Sequence, residues 1–273
     1  MSGNILPQIP KIIHYAWLGG GVIPENDKKC IESWRKFCPD YEIKRWDESN
    51  YDTAKNVYMK EAYQSRKWGF VSDFLRLDVV YNYGGIYFDT DVELVRNIDE
   101  LLHNEAYAGF EIAAKNTVYV NFGLGFGAVA AHPTIKKIMD TYTDLHFIKS
   151  DGSLNLVTCP IYQTRVLQQL GLSIENKIQN MNGFVIYPTE YFCPLNCCTG
   201  EINITDNTYS IHHYSASWMS EADRERRFLR KKYYKLFGRL GSEIASTIVA
   251  YSKYYGIRAG VEIVKKLYGR KKR

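Results

Sequence analysis

The sequence predicts an α/β fold, a mostly parallel sheet flanked by helices, followed by a basic helical extension. Three observations carry this. Short runs of strand character alternate with segments of helical period, the order that builds β-α-β units. Of 273 residues, 45% are hydrophobic and 24% charged, enough apolar material for one large core and a composition that excludes disorder as the main state. The charge is also divided. Residues 1–220 hold 19 Lys and Arg against 25 Asp and Glu, whereas residues 221–273 hold 16 against 5. Uniform basicity would point to nucleic acid; a basic tail on an acidic body predicts a docking segment instead. One domain is therefore expected over 1–220 and a tail over 221–273.

In chain order, Lys11 to Trp17 reads as a strand ending in Gly19-Gly20-Gly21, followed by a helix near Asn26–Phe37 and a strand over Tyr41–Trp46. Helical patterns cover about Thr53–Ser65 and Trp68–Tyr83, broken at Gly84-Gly85. A single strand, Ile86 to Val95, then carries two aspartates. Strands are expected near Ala106–Glu111, Asn121–Ala130, Phe184–Tyr187 and Tyr209–Tyr214, and helices near Thr134–Ile148 and Ile161–Leu170. The 22 Tyr supply rings with a polar tip, suited to a wet cleft or a membrane interface. Six Cys, at 30, 38, 159, 193, 197 and 198, form no repeated C-x-x-C pattern and read as reduced thiols. Met1–Pro10 has no cationic start to an apolar run, and nowhere do about 18 apolar residues follow one another, so neither a secretory signal nor a membrane span is expected. A cytoplasmic location is expected.

The strongest chemical signal is Tyr83-Gly84-Gly85-Ile86-Tyr87-Phe88-Asp89-Thr90-Asp91, in which an apolar run leads to two carboxylates one residue apart. Such a D-x-D suits a hard divalent cation that keeps positions open for substrate phosphates. Two solvated strand-end aspartates read the same way in isolation. Upstream, Asp73 and Arg76 are three residues apart on one helical face, either an ordinary surface ion pair or a polar face aimed at the aspartates.

Taken together, W-L-G-G (Trp17–Gly20), S-D-x-x-R (Ser72–Arg76), Y-G-G-I-Y-F-D-T-D (Tyr83–Asp91), Asn121 with His132-Pro133, and H-H-x-x-x-S-W (His212–Trp218) resemble glycosyltransferase family 32, over about residues 10–218. The resemblance implies a GT-A type, Rossmann-like mixed sheet, a nucleotide-sugar donor, Mn²⁺ or Mg²⁺, and retention of anomeric configuration. It further implies that Trp17, with Leu18, stacks on the donor base, though Trp17 also reads as a core tryptophan. Asp73 and Arg76, beside Ser72, would hold the donor sugar and its phosphates, with Tyr87 near the nucleotide. Asp89 would reach the ribose or the metal, Asp91 would ligate the metal, and Ser217 and Trp218 would close over the diphosphate. Strand alternation puts one of His212 and His213 on the cleft side; the resemblance favours His212 as metal ligand, and His213 is the alternative. Asn121 faces the donor sugar or caps a strand end. Where the family often shows T-G-P, this chain has Thr158-Cys159-Pro160. No nucleophile is obvious beneath the anomeric carbon other than Asp73, so same-face internal return is the expected route and double displacement through Asp73 the alternative.

In the tail, Ile244, Ile248, Tyr251 and Tyr255, then Val261, Val264 and Tyr268, recur near helical spacing among Lys and Arg. Basic amphipathic helices of this kind dock on the inner face of the cell membrane, or else pack on the domain. The expected partners are a nucleotide sugar and a glycan or lipid-linked acceptor in capsule or O-antigen assembly, with a UDP-sugar donor favoured over GDP-mannose and no nucleic acid. A toxin-like effector that glycosylates a protein is the other reading.

Overall fold

A computed structural model describes residues 8–112, 117–196, 199–215 and 219–268. The chain forms two compact units, one comprising the residues up to Pro194 with Asn203–His213, the other Leu195–Ile202 with the residues from Tyr214 onward.

The first unit opens with β1 (Ile12–Ala16), α1 (Glu25–Phe37), β2 (Glu42–Trp46), α2 (Val57–Gln64) and α3 (Trp68–Tyr83). β3 (Gly85–Tyr87), β4 (Val92–Leu94), β5 (Ala106–Ile112), β6 (Val118–Asn121) and β7 (Phe126–Ala128) follow, then α4 (Pro133–Asp140), α5 (Cys159–Gln169), β8 (Gln179–Met181), β9 (Phe184–Tyr187), α6 (Thr189–Phe192) and β10 (Ser210–His212). Among the described residues the main sheet runs β2-β1-β3-β7-β5-β9-β8, with β6 also paired to β5, and β4 pairs with β10 in a separate two-stranded sheet. The α/β class, a central sheet flanked by helices, is as expected. The mostly parallel sheet read from the element order is not: the sheet is mixed, as the family resemblance implies. β1 runs parallel to β2 and β3, and β5 parallel to β9, but β7 is antiparallel to β3 and β5, and β6 and β8 are antiparallel to their partners. β6 and β7 are both antiparallel to β5 and so run in the same direction, one after the other along it, separated by a short 3-10 turn over Phe122–Leu124 that Asn121 caps.

α3 is the element that most shapes the interior. Every residue from Phe70 to Val80 is buried, and its apolar side chains share one core with Tyr87, Ala106, Phe110, Phe122 and Phe126 from the sheet. A helix apolar all round belongs inside a fold, so the polar residues it carries sit in the interior as well. β1 contributes a second buried polar group. His14 accepts from the Trp46 indole N–H at 3.1 Å through Nδ1 and meets the Gly84 carbonyl at 2.9 Å through Nε2. Those partners define a neutral ring with its proton on Nε2, and burial lowers its pKa to about 4. His14 thereby anchors the Gly84-Gly85 turn that leads from α3 into β3.

The second unit consists mainly of α7 (Glu221–Tyr255) and α8 (Ala259–Tyr268). α7 is broken at Gly238, whose φ of 61° and ψ of −167° lie outside the helical region. Glycine is the residue that takes this conformation without a Cβ clash, and the chain doubles back there. Ala222, Leu229, Ala250 and Tyr251 form the interior of the resulting hairpin. Tyr251 is therefore a core residue of the hairpin and is removed from the expected apolar seam, whereas Ile244 and Ile248 are exposed. No helix among the described residues is long and apolar enough to cross a membrane.

Candidate active site and metal centre

Asp89, Thr90 and Asp91 occupy the connection between β3 and β4, a correction to the single strand expected over 86–95. β3 belongs to the main sheet and β4 to the small one, so the chain has to change partners between them. The connection is fixed residue by residue. Phe88 N–H donates to the His14 carbonyl at 3.1 Å, Asp89 N–H to Gly123 O at 3.3 Å, and Val92 N–H to Asp89 O at 3.1 Å. The Thr90 hydroxyl donates to Asp27 Oδ2 on α1 at 2.7 Å, and His213 N–H donates to Asp91 O at 2.9 Å.

β10 is antiparallel to β4 with His212 opposite Val92, and this register sets His212 against Asp91, with Nε2 3.1 Å from Oδ1. One ligand atom each from Asp89, Asp91 and His212 lies within 4.8 Å of the others. His213 turns the other way, its Nε2 2.8 Å from Glu93 Oε2 and its side chain 40% exposed, so the structure groups His212 and not His213 with the aspartates. Burial raises the pKa of Asp89, Arg76 opposes that rise, and the charge of Asp91 adds to it. Burial also works against protonation of His212, but Asp91 and Asp89 outweigh it and its pKa is raised. Two crowded carboxylates beside an imidazole fit a divalent cation, whose charge would relieve their repulsion; two oxygens to one nitrogen favour the hard end of the metal series.

Arg76 ties this group to α3. Its Nη2 lies 3.3 Å from Asp73 Oδ1 and 3.2 Å from Asp89 Oδ1, while Nε and Nη2 donate to the Ser72 carbonyl and hydroxyl at 3.1 and 3.0 Å. The guanidinium carbon stands 5.2 Å from the centre of the Tyr87 ring. Burial pushes Asp73 up to about 6 against the pull of Arg76. The Cys159 thiol, at the first position of α5, hydrogen-bonds Asp73 and lies 4.0 Å from Arg76 Nη1. The T-C-P departure thus falls inside the polar cluster, a placement that sequence spacing does not reveal.

Asn121 accepts from Gly123 N–H at 2.7 Å and donates to Glu111 Oε2 at 2.9 Å, so it caps a turn and stands beside the site at once. Gly123 was not foreseen. A Cβ there would overlap the Asp89 carboxylate and come within 3.0 Å of both Arg76 Nη1 and Asn121 Oδ1. The N-x-G spacing of an Asx turn is the sequence signal that points to it. Trp17 is half-buried just past the end of β1, its indole N–H donating to Gly21 O at 2.6 Å. Because β1 and β3 are parallel with His14 level with Tyr87, Trp17 and the aspartates leave the same edge of the sheet. Leu18 packs into the main core. Ser217 and Trp218 lie outside the described residues.

Residues 24–108 match the family described as "Glycosyltransferase sugar-binding region containing DXD motif". That segment includes Ser72, Asp73, Arg76, Asp89 and Asp91. Inositol phosphoceramide mannosyltransferase 3 of Schizosaccharomyces pombe is 38% identical over 107 residues, 36% of this chain and 29% of the relative. Mannosyl phosphorylinositol ceramide synthase of Saccharomyces cerevisiae is 32% identical over 173 residues, 59% of this chain and 42% of the relative. The chain thus spans less than half the length of these two relatives. An uncharacterized glycosyltransferase of Acanthamoeba polyphaga mimivirus is 25% identical over 82% of this chain and 90% of its own. Among solved structures, a glycosyltransferase involved in glycosylation of the major capsid of PBCV-1 covers 79% of this chain and 98% of that one, at 13% identity and a TM-score of 0.43.

Proposed function

We propose that the chain is a metal-dependent retaining glycosyltransferase of GT-A type, moving a hexose or N-acetylhexosamine from a nucleotide sugar to a lipid-linked or oligosaccharide acceptor at a membrane surface. The observation that carries this reading is the grouping of Asp89, Asp91 and His212 beside a buried Arg76 that also holds Asp73. In it, Asp89, Asp91 and His212 would hold Mn²⁺ or Mg²⁺, which neutralises charge on the leaving diphosphate. Arg76, fixed by Ser72 and charged throughout the working pH range, supplies a second cation to the same diphosphate edge. Asp73 is held by Arg76 and Cys159, an arrangement suited to accepting hydroxyl hydrogen bonds from the donor sugar. With Asp73 so engaged, the acceptor hydroxyl attacks from the face the leaving group departs, through an oxocarbenium-like state. Trp17 offers its ring to the base at the sheet edge and Asn121 completes the donor side, while Tyr87, buried in the core, backs the Arg76 guanidinium.

A UDP-sugar is the donor favoured by the family resemblance, in a capsule or O-antigen pathway. GDP-mannose is the second reading, favoured by the names of two relatives, which are mannosyltransferases acting on inositol phosphoceramide. The test is a binding and hydrolysis screen of UDP- and GDP-sugars with Mn²⁺. Turnover of one donor supports the reading and names the sugar; a folded protein that binds no nucleotide sugar contradicts it.

A further inference from the structure

The hairpin of the second unit ends in an exposed tip whose composition differs from the rest of the unit. Its two arms are antiparallel, held by Arg226 to Glu243 at 2.6 Å, Tyr251 to Asp223 at 2.8 Å and Lys253 to Glu225 at 3.1 Å. These ties lie towards the base of the arms, and the buried apolar residues do too. At the far end the run Lys235-Leu236-Phe237-Gly238-Arg239-Leu240 is exposed throughout. Leu236 is 73%, Phe237 57% and Leu240 74% exposed, three large apolar side chains within five residues. From Arg227 to Ser242 the sequence has six Lys and Arg and no Asp or Glu.

We propose that this tip, residues 232–240, docks on an anionic phospholipid bilayer, with Leu236, Phe237 and Leu240 entering the headgroup–acyl boundary and Lys232, Lys235 and Arg239 meeting lipid phosphates. The charge chooses the occupant. A second copy of the chain would set one cationic tip against another. A nucleic acid would engage the cations but has no use for three exposed apolar side chains at the turn. A bilayer surface accommodates both, apolar side chains entering at the turn and the interleaved Lys235 and Arg239 snorkelling to the phosphates. The contact therefore lies at the turn, not along the helical seam of Ile244 and Ile248. This deepens the membrane-surface reading above and rests on it.

The test is co-sedimentation of the full chain with vesicles of phosphatidylglycerol and phosphatidylcholine, alongside donor hydrolysis in solution. The wild-type chain is expected to partition to the anionic vesicles and only weakly to phosphatidylcholine alone. The Leu236→Ser/Phe237→Ser/Leu240→Ser variant is expected to lose about tenfold or more in partitioning, and Lys235→Glu/Arg239→Glu to lose the preference for anionic lipid. Both keep the wild-type melting temperature and solution hydrolysis. Wild-type partitioning by the apolar triple variant overturns the tip assignment alone. Absence of vesicle binding by a hydrolytically active wild type overturns the membrane reading with it. Loss of binding that tracks dissociation of a dimer in sedimentation equilibrium assigns the tip to a second copy and also overturns the proposal.

Discussion

Arg76 Nη2 sits 3.2 Å from Asp89 Oδ1 and 3.3 Å from Asp73 Oδ1, one buried guanidinium serving a carboxylate on its own helix and one on the loop after β3. This places α3 and the D-T-D loop in a single electrostatic unit. Removing the cation leaves Asp73 unpaired in the interior, already pushed up to about 6 by burial, and takes from the partly exposed Asp89 its cationic partner. Arg76→Ala is expected to cost about 3–5 kcal/mol, read by urea denaturation. Arg76→Lys keeps the charge but not the planar fork; donor turnover should fall about 10²-fold while stability falls less than in the alanine variant. Equal stability in Arg76→Ala and wild type would contradict the pairing.

Gly123→Ala tests the close approach behind the aspartates. The added methyl group meets the Asp89 carboxylate, Arg76 and Asn121 together, so either the loop shifts or Asp89 leaves its place. A stability loss of about 1–3 kcal/mol with a drop in donor turnover of about tenfold or more is expected. Gly260→Ala, where a Cβ meets nothing within 4 Å, should leave both unchanged.

Acid stability should report on His14. Its folded-state pKa, about 4, lies below the unfolded value of about 6.5, so between those values the unfolded chain takes up a proton that the folded chain refuses. Its contribution is complete above pH 6.5 and is lost as pH falls towards 4, amounting to about 3 kcal/mol. Urea midpoints of wild type and His14→Gln, compared from pH 7.5 to 4.5, should converge as the pH falls. A gap that stays constant would mean that the ring is protonated in the folded state.

Thiol labelling should separate the interior from the surface. Burial pushes Cys30 up to about 12 and Cys38 up to about 11, and raises Cys159 as well. Iodoacetamide at neutral pH should leave all three unmodified in the folded chain, as mass spectrometry would show, and react with them only after denaturation.

Much of this was legible in the chain. The i, i+3 spacing of Asp73 and Arg76 and the Gly84-Gly85 break bring these residues near the D-x-D, because the helix runs directly into that turn; that the whole helix is buried is a long-range fact the spacing does not show. Strand alternation reduced the histidine choice to His212 or His213 without deciding it; the register of β10 on β4 is a long-range fact that neither strand encodes alone. The same limit explains the strand expected over 86–95, since an apolar run does not show where a chain changes sheets. Gly123 and Cys159 escaped for a further reason: their importance lies in a neighbour more than 30 residues away, beyond the reach of any local periodicity.

The most direct test of the central claim is calorimetric titration of Mn²⁺ into the full chain with a UDP nucleotide present, for wild type, Asp91→Asn and His212→Gln. One Mn²⁺ per chain in wild type, with affinity reduced at least about tenfold in each variant and no change in melting temperature without metal, is the predicted result. Wild-type affinity in both variants would show that Asp91 and His212 hold no metal and would contradict the account.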